Sequence, residues 1–127
     1  MFDPRKKILK ELVEKLKTDT GRKNIFYNQS FGTGSQIILK IYAGGQSDFT
    51  HNDWTVFRFQ AHIQEATEEK LMDAAWEINR MITDLSDYTG FTYRLHYVES
   101  DGVGISLKEK GLFWTTINFE MTIILEE

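Results

Sequence analysis

Residues 54–85 read WTVFRFQAHIQEATEEKLMDAAWEINRMITDL, and a change of period inside them decides the fold. From Trp54 to Gln64 apolar and polar side chains alternate. Phe57, Phe59, Ala61 and Ile63, with Thr55 leading in, share one side; Trp54, Val56, Arg58, Gln60 and His62 share the other. A period of two belongs to a strand in a sheet covered on one face. After Thr67 the period lengthens. Leu71, Ala75, Ile78, Ile82 and Leu85 recur at spacings of three and four, the stripe of an amphipathic helix, with Met72, Trp76 and Met81 widening it. Thr67 is a good N-cap, Glu68 and Glu69 suit the positive end of the helix, and the helix is expected to stop between Asp87 and Gly90.

Working outward, Phe91–Val98 alternates again, with Phe91, Tyr93, Leu95 and Tyr97 expected on one face. Glu99–Gly104 carries turn signals, Ile105–Lys108 reads as a short strand or arm, and Lys110–Gly111 precedes the closing element. That element, Phe113–Leu125, is a long strand. Its core face is Phe113, Thr115, Ile117, Phe119, Met121, Ile123 and Leu125, and Trp114, Thr116, Asn118, Glu120, Thr122 and Ile124 lie opposite. Upstream, Gln36–Tyr42 is a strand apolar on both faces, either central or facing a partner. Ile25–Asn28 is a short strand, and Ala43–Asp53 is a polar loop longer than a tight hairpin needs. At the start, Asp3 can cap and Pro4 suits a first helical position. Ile8, Leu9, Leu12, Val13 and Leu16 form a stripe flanked by Lys6, Lys10 and Lys17, and Gly21 ends the helix. The expectation is one α+β domain over residues 1–127: a helix at about 4–19, a strand–helix–strand core at about 36–127, and a mostly antiparallel or mixed sheet with two helices on one face.

Composition narrows the function. The chain of 127 residues is 41% apolar, enough to fold without staples, and it has no cysteine, which removes disulfides, thiolate chemistry and zinc–thiolate sites. No apolar run is long enough to span a bilayer, so a soluble protein without membrane partners is expected. The net charge of −4 is unevenly spread. Residues 1–23 carry eight Lys/Arg against four Asp/Glu, and the remainder carries seven against fifteen. An acidic body argues against broad nucleic-acid binding. A basic segment on it is either a solvated helix face or a means of orienting subunits head to tail.

The motifs of nucleotide binding, metalloproteolysis and nucleophilic catalysis are missing. Gly32–Thr33–Gly34 precedes a strand rather than a helix, so it reads as a loop. His51 and Asp53 share a polar loop while His62 and His96 sit at outward strand positions, and no metal-ligand spacing joins them. The carboxylates of Glu68, Glu69, Asp73, Glu77 and Asp84 read as a solvated helix face. No cofactor and no catalysis are expected. More informative are aromatics at strand ends or in loops, Phe49, Trp54, Phe113 and Trp114, which either pack under loops and against a helix or face a partner, being of a kind enriched at interfaces. The candidate partner surface is Lys6, Lys10 and Lys17 together with Asp48, Phe49 and His51 of the long loop, Trp54 and Trp114.

The succession Trp54–Gln64, Glu68–Leu85, Phe91–Val98 and Gly111–Glu127, closing on Trp114–Ile123, resembles small tail-terminator and minor-capsid (tail completion) proteins of tailed bacteriophages. The likeness covers about residues 54–127 and is a pattern of elements without a transferable residue motif. It implies a mostly antiparallel sheet with helices on one face. It also implies a homo-oligomeric ring, commonly of six, that caps the tail tube, stops its growth and docks a head–tail connector. Partners would then be other copies of the chain, the tube protein and the connector, with nucleic acid at most passing through the lumen. The location implied is the virion neck, after synthesis in the host cytoplasm. The competing expectations are a small-molecule-binding or enzymatic domain built on the His51–Asp53 loop, and a connector that stays monomeric until its partner is present.

Overall fold

Two long strands carry the molecule. In the computed structural model, which describes residues 4–29, 34–41, 49–50 and 54–125, β4 (Trp54–Glu65) and β7 (Leu112–Ile124) pair antiparallel over their whole lengths. The register runs from Trp54 opposite Ile124 to Glu65 opposite Phe113. It sets Phe57 against Met121, Phe59 against Phe119, Ala61 against Ile117 and Ile63 against Thr115, so both apolar sets fall on the same face. The Phe59 and Phe119 rings stack with centroids 5.0 Å apart.

The remaining elements assemble around this pair. The chain begins with α1 (Pro4–Thr20), β1 (Ile25–Tyr27), β2 (Gln36–Ile41) and β3 (Phe49–Thr50); α2 (Glu68–Thr83), β5 (Arg94–Ser100) and β6 (Leu107–Glu109) lie between β4 and β7. The sheet runs β1-β2-β4-β7-β5, with β3 beside β4 and β6 beside β7. Its pairings are antiparallel except that β1 lies parallel to β2. Both helices cover the same face. Ile8, Leu9, Leu12, Val13 and Leu16 of α1 and Leu71, Ala74, Ala75, Ile78 and Ile82 of α2 join the sheet residues in one hydrophobic cluster. The fold is therefore α+β, a mixed, mostly antiparallel sheet under two helices, as the periods require.

Local chemistry accounts for the boundaries. Thr67 is extended, and its hydroxyl accepts from the Lys70 amide at 3.2 Å, so α2 starts where the N-cap lies. Gly21, at φ +75°, ends α1 and donates its amide to the Lys17 carbonyl at 3.0 Å, a left-handed conformation that costs other residues strain. Lys110 and Gly111 both take positive φ and join β6 to β7 by a two-residue turn, the hairpin geometry that matches strand twist. A partly buried ionic link ties the first half to the second. Arg22 Nε lies 2.8 Å from Glu77 on α2, and Arg22 Nη1 lies 3.9 Å from Glu65, which also accepts from Ser35 at 2.6 Å.

Four expectations need correction. The strand expected at Phe91–Val98 is β5, Arg94–Ser100, and a bulge between Leu95 and Tyr97 shifts its phase. Leu95 and Val98 both reach the core, and Tyr97, which simple alternation puts inside, is 51% exposed. The helix expected to run to Asp87–Gly90 ends at Thr83, where Asp84 caps it and turns follow. Trp76 does not widen the buried stripe but stands 59% exposed. At 100° per residue it lies about 140° from the centre of that stripe, so aromatic character alone misplaced it. Finally, Ala43–Asp53 is not wholly loop, because Phe49 and Thr50 pair as β3 with Val56 and Thr55.

The edge formed by β5 is covered. Asp87 N donates to His96 O at 3.2 Å, Leu95 N to Tyr88 O at 2.9 Å, and Val98 N to Ser86 Oγ at 3.3 Å. The turn leaving α2 thus occupies the backbone groups that another strand would use.

Candidate interaction surfaces

Three lysines of α1 gather at one groove. Lys6, Lys10 and Lys17 follow the helical repeat along the flank next to β1. There they line an open depression of about 620 Å³ floored by Val13, Phe26 and Tyr27. Lys10 Nζ lies 5.8 Å from the centre of the Tyr27 ring, and Lys17 Nζ lies 3.5 Å from Glu14 one turn back. The lysine half of the expected surface is therefore one continuous patch. Basic heads stand over an aromatic floor, an arrangement suited to a partner that is acidic and partly apolar.

A second surface is the sheet face that the helices leave uncovered. It reads as rungs across β4 and β7. Trp54 faces Ile124; Arg58 reaches Glu120 at 3.3 Å; Gln60 donates to Asn118 at 3.0 Å; and His62 stacks on Trp114, with centroids 5.3 Å apart and planes 27° apart. Beyond Trp114, the partner residue Leu107 is 40% exposed and nearby Ile105 is 77% exposed. The centre of this face is polar and self-paired, while its ends are apolar. His62 Nε2 lies 3.5 Å from Gln64 Oε1, and Gln64 donates to Gly34 O at 2.9 Å. Burial lowers the His62 pKa from its ordinary value and nearby Lys40 lowers it further, against a raising hydrogen bond from Gln64.

Trp54 and Trp114 are not neighbours. Trp114 sits opposite Gln64, ten residues along β4 from Trp54, so the two indoles mark opposite ends of one face about 33 Å apart. Phe49 joins the sheet through its backbone, opposite Val56. Asp48 and His51 lie outside the described residues. Among the described residues no group of three His, Asp or Glu is placed to hold a metal, and no helix is long and apolar enough to cross a membrane. Sequence reading overlooked Phe26 and Tyr27 as the floor of the groove, because nothing in a three-residue strand says what it lies beside. It also missed the exposure of Trp76, for which its angle on the helix was an available signal.

No family model matches the chain, and no curated protein matches it in sequence. A solved structure without a functional name superposes on it with a TM-score of 0.58 at 12% sequence identity, covering 97% of this chain and 94% of the other. Similarity at that identity speaks for the fold alone.

Proposed function

We propose that this protein is a structural assembly subunit of the tail-terminator kind, copies of which associate head to tail into a ring that caps a phage tail tube and joins it to the head connector. The observation that carries this reading is that one subunit bears two unlike surfaces. One is the lysine groove along α1, and the other is the uncovered sheet face with apolar ends. A closed ring requires unlike patches on each copy, whereas a two-fold dimer requires one self-complementary patch. The order of elements that resembles tail-terminator proteins supports the choice among ring-forming assemblies. On this reading the protein binds rather than catalyses, its partners are its own copies, the tube protein and the connector, and it resides at the virion neck.

Light scattering with negative-stain imaging of the purified chain tests the proposal. Rings of several subunits without any ligand are expected. A protein that stays monomeric at the highest concentration it tolerates, and also when tube ends are supplied, overturns it.

A further inference from the structure

The lysine flank of α1 and the outer face of α2 are complementary position by position. Along α1 the outward column reads Lys6, Lys10, Glu14 and the half-exposed Lys17; along α2 and its C-cap it reads Asp73, Trp76, Arg80 and Asp84. At 1.5 Å per residue, these positions fall at about 0, 6, 12 and 16.5 Å along α1 and about 0, 4.5, 10.5 and 16.5 Å along α2. With the helices parallel, Lys6 meets Asp73, Glu14 meets Arg80 and Lys17 meets Asp84. Each is a pair of opposite charge, displaced by no more than about 1.5 Å along the axis. Trp76 then falls at Lys10, whose ammonium already lies over Tyr27 at the groove. Reversing the direction sets Arg80 against Lys10, and sliding α2 by one turn to bring Glu69 to Lys6 sets Arg80 against Lys17. Of these three arrangements only the first sets no like charges against each other.

These groups also lack ionic partners within their own chain. Among the described residues Lys6, Asp73, Arg80 and Asp84 form no ion pair, and Lys17 has only the 3.5 Å contact with Glu14 on its own helix. Trp76 is the largest side chain on the outer side of α2, and at 59% exposed it has no place in the core. An exposed tryptophan flanked by the unpaired Asp73 and Arg80 suits an interface anchor, tryptophan and arginine being enriched among the residues that carry binding energy.

We infer that the occupant of the α1 groove is α2 of a second copy of this chain, with Trp76 seated between Lys10 and the aromatic floor and three ion pairs fixing the register. The inference rests on the assembly reading above, and pairs its lysine groove with the outer side of α2 rather than with the uncovered sheet face. α1 and α2 are different elements, so the contact is heterologous: the copy that contributes α1 keeps its α2 free, and the copy that contributes α2 keeps its α1 free, for the next neighbours. Single surface ion pairs contribute little, so the charges chiefly set direction and salt sensitivity, and burial of Trp76 supplies most of the affinity.

The test is a charge swap read by sedimentation velocity. Lys6→Glu with Lys17→Glu makes one variant, and Asp73→Lys with Asp84→Lys makes the other. Each alone sets like charges face to face and is expected to lose assembly, roughly tenfold or more in association constant, with an unchanged melting curve. In an equimolar mixture every α1–α2 contact is again between opposite charges, so assembly is expected to return. Trp76→Ala is expected to abolish assembly both in the otherwise wild-type chain and when carried by both members of the mixture. Wild-type chain that assembles while both variants assemble equally well overturns this interface and leaves the assembly reading standing. Loss in the variants without recovery in the mixture overturns it as well. Wild-type chain that never associates removes both.

Discussion

The two faces of the β4–β7 pair share one backbone and differ in almost everything else. On the inner face Phe57, Phe59, Ala61, Ile63, Ile117, Phe119, Met121 and Ile123 are buried under α1 and α2. On the outer face the same strands present Trp54, Arg58, Gln60, His62, Trp114, Asn118 and Glu120, partly exposed and paired with one another across the rungs. Because side chains alternate every residue, no mutation on one face need disturb the other. The inner face sets the fold, and the outer face carries polar rungs between apolar ends.

That division can be broken most sharply from inside. Phe119→Asp places an unpaired carboxylate against Phe59 in the core, and it is expected to yield insoluble or unfolded protein by circular dichroism. A soluble mutant with a cooperative melt would show the faces to be inverted. On the outer face Trp114→Ala removes a half-buried ring that stacks on His62, and it is expected to lower stability by about 1–2 kcal/mol in urea titration without altering the circular dichroism spectrum.

A subtler test uses pH. The His62 pKa is lower in the folded state than in the unfolded chain, so the unfolded state binds the proton more readily. Stability from neutral His62 is full above its ordinary pKa of 6.5 and is lost as pH falls below it. His62→Gln is therefore expected to flatten the decline in melting temperature on acidification below that value. An identical decline in the mutant would move the titrating group elsewhere. The smallest effect is expected from Arg58→Ala. It breaks an exposed pair with Glu120 and should change stability by about 0.2–1 kcal/mol, less in high salt.

The contrast between the faces also explains what could be read without coordinates. The alternation of Trp54–Gln64 and Phe113–Leu125 identifies both long strands and assigns their core residues, because burial of one face imposes a period of two. Pro4 and Thr67 mark helix starts because capping is local chemistry. What escaped depends on neighbours distant in sequence. The bulge at Leu95–Tyr97 belongs to the pairing of β5 with β7, and the parallel seat of β1 to its pairing with β2, ten and more residues along the chain. Of the candidate interface, Lys6, Lys10 and Lys17 were legible as a helical flank, while their groove depends on Phe26 and Tyr27 arriving from β1. Trp54 and Trp114 were legible as outward residues but not as opposite ends of a face, which only the register discloses.

The cover on β5 has a consequence for contact between molecules. Residues 86–88 shield that margin only while the turn leaving α2 stays docked, through three backbone donors. Fraying of a helix end is among the cheapest openings a domain makes. Loss of that dock would bare a row of backbone donors and acceptors able to pair with a strand of another molecule, while the rest of the sheet stays intact. A proline introduced at Asp87 would remove the amide that donates to His96 O and loosen the cover there.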